Sequence, residues 1–205
     1  MRTILLTCCL FMGTILSAQN NVLIEIENAN AAYKVITGDF VRTQTNVAKG
    51  TSIKADGTLY IVGEDQMTQH YKAPSTDLLI INGNDFYMIR GKKTNKFNTE
   101  KNKTMRSLRN TLLYCVHGKP MELATENGAE ITAEKKENEY EVVLISTKKT
   151  ARGYAKIVLT YDLKSKLLTK MRMDEYNGNS TLYEMNNLKT NGNIDAKVFD
   201  IPEKK

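Results

Sequence analysis

The stretch Asp77-Leu78-Leu79-Ile80-Ile81-Asn82-Gly83-Asn84-Asp85-Phe86-Tyr87-Met88-Ile89-Arg90 sets two short apolar runs, Asp77 to Ile81 and Asp85 to Arg90, on either side of Asn82-Gly83-Asn84. Asparagine and glycine tolerate the positive backbone angles of a tight turn, so the stretch predicts a β-hairpin. The same rhythm of short runs and polar turns extends outward. Upstream lie Phe40 to Asn46 and Gly57 to Gly63, with Gly38 expected as a break before them. An amphipathic helix from Asn20 to about Tyr33, carried by Leu23, Ile26, Ala29 and Tyr33, comes first. Downstream the period changes, because Met105, Leu108, Leu112 and Cys115 recur at helical spacing from Asn102 to His117, and Gly118 with Pro120 stops that helix. Beyond an unassigned stretch from Met121 to Gly128, strands resume at Ala129 to Ala133, Glu139 to Thr147, Tyr154 to Leu163, Leu167 to Tyr176 and Thr181 to Lys189. The result is an α+β, mainly β chain of about nine to eleven antiparallel strands with two or three helices. A sheet that large has to curl or pack to bury its apolar face, and so few helices cannot cover both faces. The expected architecture is a curled antiparallel sheet, an unclosed half-barrel, with the helices on its concave side.

Composition supports one globular domain. The chain has 205 residues, 25% charged and 41% hydrophobic, with only 3 prolines, and shows no Pro-, Gly- or Ser-rich linker. Residues 1–18 differ from the rest. Arg2 followed by the apolar run Ile4 to Leu16 and then Ser17-Ala18 reads as a cleaved secretory signal peptide, too short to span a bilayer. One domain, 19–205, remains. Cys8 and Cys9 fall inside the leader, so the exported chain keeps Cys115 alone and can form no internal disulfide. No lipid-anchoring cysteine box follows the leader. The expected home is the periplasm, with the protein soluble, exported, not lipid-anchored and a monomer.

The inventory for catalysis is thin. His70 and His117 lie far apart on different kinds of element, and His117, in the last turn of a helix, is placed to complement the helix dipole. Cys115 belongs to an apolar stripe, and Asp174 and Glu175 are neighbours on a strand, facing opposite ways. No H-E-x-x-H or C-x-x-C spacing holds a metal, and no glycine-rich loop holds a phosphate. The chain is therefore read as no enzyme, with no cofactor and no metal. The formal charge of +6 comes from lysines scattered through turns, without the interleaved aromatics of a nucleic-acid surface. The basic face of the middle helix, around Arg106 and Arg109, is a candidate for peripheral contact with anionic headgroups or an acidic partner.

What remains is a lining. Seven methionines, Met67, Met88, Met105, Met121, Met171, Met173 and Met185, lie beyond the leader. Leu59 with Ile61, Leu78 with Ile80, Phe86 with Met88, Met171 with Met173, and Tyr183 with Met185 each share a strand parity. With Met67, Tyr71 and the helical residues Met105, Leu108 and Leu112, they form either a core with flexible filler or an adaptable cavity for acyl chains. The strand pattern does not separate the two.

Several motifs occur together and in order. Phe40-Val-Arg-Thr-Gln44 comes first, then Gly57-Thr-Leu-Tyr-Ile61, Met67-x-x-x-Tyr71-x-x-Pro74 and Leu79-Ile-Ile-Asn-Gly83-x-Asp-Phe-Tyr87. Near the end come Gly178-Asn-Ser-Thr181, Asn186-Asn187 and Asn193-Ile-Asp-Ala-x-Val-Phe199-x-Ile-Pro202. This run resembles the LolA family of periplasmic lipoprotein carriers over nearly the whole exported chain. The resemblance implies an eleven-stranded half-barrel under three helices, with an apolar cavity that shields the acyl chains of a lipoprotein or related lipid between inner and outer membrane. It also implies an inner-membrane releasing complex and an outer-membrane acceptor as partners. A non-enzymatic envelope sensor or interaction module of the same fold is the alternative. The chain departs from the family pattern where Gly63 replaces an arginine that latches the lid, Glu64 follows where proline is common, and Tyr60 and Gln69 stand at aromatic positions. Arg106 or Arg109 is then the candidate for a reversed latch, reaching from helix to a sheet carbonyl.

Overall fold

A computed structural model describes residues 20–148 and 153–201. The expected leader, Lys149 and the closing Pro202 lie outside them. Helix α1 occupies 20–31. Six strands follow, β1 (Val35–Asn46), β2 (Thr51–Val62), β3 (Gln66–Tyr71), β4 (Leu78–Asn82), β5 (Asp85–Arg90) and β6 (Lys93–Asn98). Helices α2 (Lys103–Val116) and α3 (Pro120–Asn127) come next, then β7 (Ala129–Lys135), β8 (Glu139–Ser146), β9 (Tyr154–Asp162), β10 (Leu168–Glu175) and β11 (Ser180–Thr190), ending in a 3-10 turn at Ala196–Phe199.

The eleven strands form one antiparallel sheet in the order β6-β5-β4-β3-β2-β1-β11-β10-β9-β8-β7. Two meanders are thus joined through β1 and β11, and the sheet stays open between β6 and β7. The half-barrel and its strand count are as expected. The quoted hairpin has a two-residue turn, with Asn82 paired to Asp85 and Gly83 at φ +56°.

One local reading is corrected and two elements are added. Gly38 does not break the chain but lies inside β1, beside a register shift between Thr37 and Asp39. A Cβ there would stand 2.7 Å from Leu188 Cδ2 and 2.9 Å from the carbonyl of Asn186, so the glycine permits close approach at a bulge. β6, Lys-Thr-Asn-Lys-Phe-Asn, is polar enough to escape an apolar pattern, yet it pairs with β5 throughout. The unassigned stretch after Pro120 is α3. The proline that stops α2 sits in the first turn of the next helix, where its missing N–H costs nothing, and Gly128 closes α3 in the left-handed region.

Apolar side chains of the concave face meet the helices in one core. Val22, Leu23 and Ile26 of α1, Leu112, Leu113, Cys115 and Val116 of α2, and Leu123 of α3 pack against it. Asn102 caps α2 by accepting from the N–H of Met105 at 3.0 Å. Polar bonds seat α1 on the β9–β10 turn. Asn30 donates to the carbonyl of Lys166 at 2.8 Å, Tyr33 donates to that of Ser165 at 2.9 Å, and Glu25 pairs with Lys166 at 2.8 Å.

Gly57 marks the tightest point of the sheet. It lies between Phe40 and Tyr71 in register, and those two rings meet edge to face across it at 5.0 Å. A Cβ at this position would fall 2.2 Å from the carbonyl oxygen of His70 and 2.8 Å from the Phe40 ring. Gly57→Ala is expected to lower unfolding free energy by about 1–3 kcal/mol, seen as a lower urea midpoint at unchanged slope.

Candidate functional site

Antiparallel partners share a face, so the register assigns every lining residue. Leu59 and Ile61 face Gln69 and Met67 across β2 and β3. Phe40 faces Met185, Arg42 faces Tyr183, and Tyr183 in turn faces Met171. Met173 faces Thr181 on one side and Ile157 on the other. All of these point into the concave side. Tyr71, Phe86 and Leu112 are buried in the same core, against which Met88, Met105 and Leu108 pack half-buried.

Leu78 and Ile80 are the exceptions. Met67 and Phe86 both pair with Ile81, and Gln69 and Met88 both pair with Leu79. The concave residues of β4 are therefore Leu79 and Ile81, while Leu78 and Ile80 face the convex side. The run Leu78 to Ile81 is apolar at every position, so alternation carries no information there. The turn could have supplied it, because pairing Asn82 with Asp85 puts Ile81 opposite Phe86. Ile80 is nonetheless buried. It shares the convex face with Ile89 and His70, where the C-terminal 3-10 turn packs on β3 and His70 Nε2 lies 2.7 Å from the carbonyl oxygen of Val198. His70 stacks its edge on Tyr60 and takes no part in the lining. The sequence reading also missed the β8 and β9 contribution, Val142, Leu144, Ile157 and Leu159.

Under the C-terminal end of α2 the lining is closely packed. Between Ile36, Leu59, Ile61, Val116 and Met185 the void is about 10 Å³, room for no more than about one water. Larger openings flank the first turns of α2. A cleft of about 430 Å³ runs along Met105, Leu108, Tyr154 and Glu175, and an adjoining one of about 170 Å³ reaches Leu144 and Ile157 beside Ser107. Concave-face side chains are thus reached at the N-terminal end of α2.

The helices are tied to the sheet at hairpin turns. Arg109 Nε donates to the carbonyl of Gly83 in the β4–β5 turn at 2.7 Å, and Arg109 also donates to Asn110, whose amide reaches Glu126 of α3 at 2.8 Å. Arg106 instead donates to the carbonyls of Thr99 and Glu100, in the loop that leads into its own helix. Lys119, ahead of α3, pairs at 3.3 Å with Glu64 in the β2–β3 turn. The Gly83 N–H donates in turn to the carbonyl of Asp65, so both turns stand side by side. At the other end of α2 the tie is buried, with the Tyr161 hydroxyl donating to the carbonyl of Cys115 at 2.9 Å.

Burial pushes the Cys115 thiol far up, which keeps it protonated and inert. His117 also departs from expectation. It caps α2 through its own N–H, its side chain is buried with Nε2 meeting no partner, and burial, aided by Lys119, holds its pKa below the ordinary histidine value. It therefore stays neutral near pH 7 and does not offer a charge to the dipole. Among the described residues no cluster could hold a metal ion, and no helix is long and apolar enough to cross a membrane.

The model of the family described as Outer membrane lipoprotein carrier protein LolA matches residues 31–202. No curated protein matches the sequence. Among solved structures, MucB superposes with a TM-score of 0.50 at 13% identity, covering 92% of this chain and 64% of that one. A putative outer membrane lipoprotein-sorting protein domain from Vibrio parahaemolyticus gives 0.48 at 13% identity, covering 90% and 97%. A LolA superfamily protein from Nitrosomonas europaea gives 0.45 at 8%, covering 90% and 98%.

Two measurements follow. Arg109→Ala is expected to speed amide exchange in the first turns of α2, while Arg106→Ala disturbs only the loop at Thr99 and Glu100; unchanged exchange in Arg109→Ala would remove the latch. A depressed histidine pKa means that the unfolded state binds the proton first. Stability is therefore full above about pH 6.5 and declines as pH falls toward the folded value. His117→Gln should flatten that decline in melting temperature between about pH 7 and pH 5.

Proposed function

The chain belongs to the LolA family, and from that premise we propose that it is a periplasmic carrier that shields the acyl chains of a lipoprotein or related lipid and moves them from inner toward outer membrane. The observation that carries this reading is the continuous concave lining of Leu, Ile, Phe, Tyr and Met side chains, reached through the clefts at the N-terminal end of α2. Each methylene taken out of water contributes about 0.8 kcal/mol, so one long chain would gain on the order of 10 kcal/mol. Handover to a second protein requires that this be partly offset. The close packing under α2 supplies the offset, since a chain enters there only as Met171, Met173 and Met185 repack and the lid moves. The two ends of α2 suit that motion. The Cys115 end is buried and bonded to the sheet, and the Met105 end is half-exposed and held by Arg109.

On this reading the chain is non-enzymatic, is exported by removal of residues 1–18, and meets an inner-membrane donor and an outer-membrane acceptor. The close packing under α2 also favours the second reading, a sensor or interaction module of the same fold. One experiment separates them. The purified protein is loaded with a fluorescent fatty acid and challenged with a diacylated lipopeptide. Displacement, together with acyl lipid recovered by mass spectrometry from natively purified protein, is the carrier's result. No uptake of the probe and no co-purifying lipid would overturn it in favour of the sensor.

A further inference from the structure

Arg42 stands out on the concave face. The register places it there beside Ala55 of β2 and Tyr183 of β11, two residues along the strand from Phe40. Its guanidinium lies 4.6 Å over the Tyr71 ring, and Nε is shut off from solvent without a hydrogen-bond partner. Among the described residues Arg42 has no ion pair. No aspartate or glutamate shares the concave face of β1, β2, β3 or β11 with it. A half-buried guanidinium with an unused buried Nε donor at the edge of an apolar lining is costly, and an anion is the partner that would satisfy it.

The surroundings say where that anion would sit. Inward of Arg42 lie Phe40, Met185 and Met171, a path of apolar and deformable side chains. Outward, the β1–β2 hairpin runs on past the helices with Ile53 63% exposed on the same face, so Arg42 marks the rim where the lining meets water. The buried hydroxyl of Tyr71 is held on Gln69 Oε1 at 3.1 Å, and Tyr183, opposite Arg42 in the register, has its ring 6.1 Å from that of Phe40. The rim is thus a polar collar of Arg42, Tyr71 and Tyr183 at one end of the apolar lining.

We propose that Arg42 binds the head of the acyl ligand and that the ligand class is a hydrocarbon chain ending in an anion, a carboxylate or a phosphate, with the chain directed inward over Phe40 and Met185. This deepens the acyl-carrier reading and rests on it. Arginine is suited to the task because its fork meets two oxygens of a carboxylate or phosphate at once while its plane stays stacked on an aromatic ring.

Isothermal titration of the purified protein with dodecanoate, dodecyl phosphate and dodecanol tests it. Both anions should bind about tenfold or more tightly than the alcohol, as expected for one charge-assisted hydrogen-bonded contact. Their relative strength tells a carboxylate from a phosphate site. Arg42→Gln should abolish the preference while leaving dodecanol binding intact, which also shows that the variant is folded, and Arg42→Lys should keep part of it. Equal affinity for alcohol and anions, or a preference that survives Arg42→Gln, would overturn the assignment while leaving the acyl carrier standing. Failure of all three ligands to bind the unaltered protein would overturn the carrier reading and this one with it.

Discussion

The pairing of β1 with β11 is the contact on which the rest of the structure depends. Phe40 lies opposite Met185 and Arg42 opposite Tyr183, across most of the length of the chain. Each meander on its own is a sheet with one uncovered apolar face. Joined, they make a single trough wide enough for three helices to fill. The entropy of bringing such distant segments together is paid once, and the nearest-neighbour hairpins on both sides add little further. The same seam carries the bulge at Gly38, the Phe40 ring that meets Tyr71 edge to face, and the rim at Arg42. Curvature, core and entrance are therefore set along one pair of strands.

The lid is held by unequal means along its length. The C-terminal end of α2 is bonded to Tyr161 in the core, and α1 is seated on the β9–β10 turn by Asn30, Tyr33 and the Glu25–Lys166 pair. The N-terminal end of α2 rests on half-buried Met105 and Leu108 beside open clefts. The turns at Gly83 and Glu64 receive Arg109 from α2 and Lys119 from the residue that opens α3. Gly63, standing where the family's resemblance implies a latching arginine, belongs to one of these turns. In this chain the donors are on the helices and the acceptors are on the sheet. The exposed Lys119–Glu64 pair adds little by itself, since water screens it. Arg109 to a carbonyl at 2.7 Å, shared with Asn110 and Glu126, is the stronger tie because it joins hairpin, α2 and α3 in one network.

How much of this was legible depends on the residue. Leu59 and Ile61, Met171 and Met173, and Tyr183 and Met185 alternate with polar neighbours, so their inward parity could be read directly. Leu78 to Ile81 do not alternate, because β4 buries both faces, one under the helices and one near the C-terminal 3-10 turn. β6 was invisible because an edge strand needs only backbone pairing on one side, which Lys-Thr-Asn-Lys-Phe-Asn provides with Phe97 as its one apolar side chain. α3 was hidden by Pro120, which ends one helix and begins the next. The neutrality of His117 follows from burial, which a helical position near a C-terminus does not reveal.

The sequence by itself determined the β-rich half-barrel, the number of strands within narrow bounds, the amphipathic helices and the family, because periodicity, turn residues and ordered motifs are local signals. Tertiary structure alone decided which face of β4 lines the trough, that the lining under the C-terminal end of α2 is closely packed, that Arg109 meets Gly83 while Arg106 turns back on its own loop, and that Arg42 has no ion pair among the described residues. Each of these is a relation between segments far apart in the chain. Burial, pairing and unsatisfied charge exist only once the segments have met.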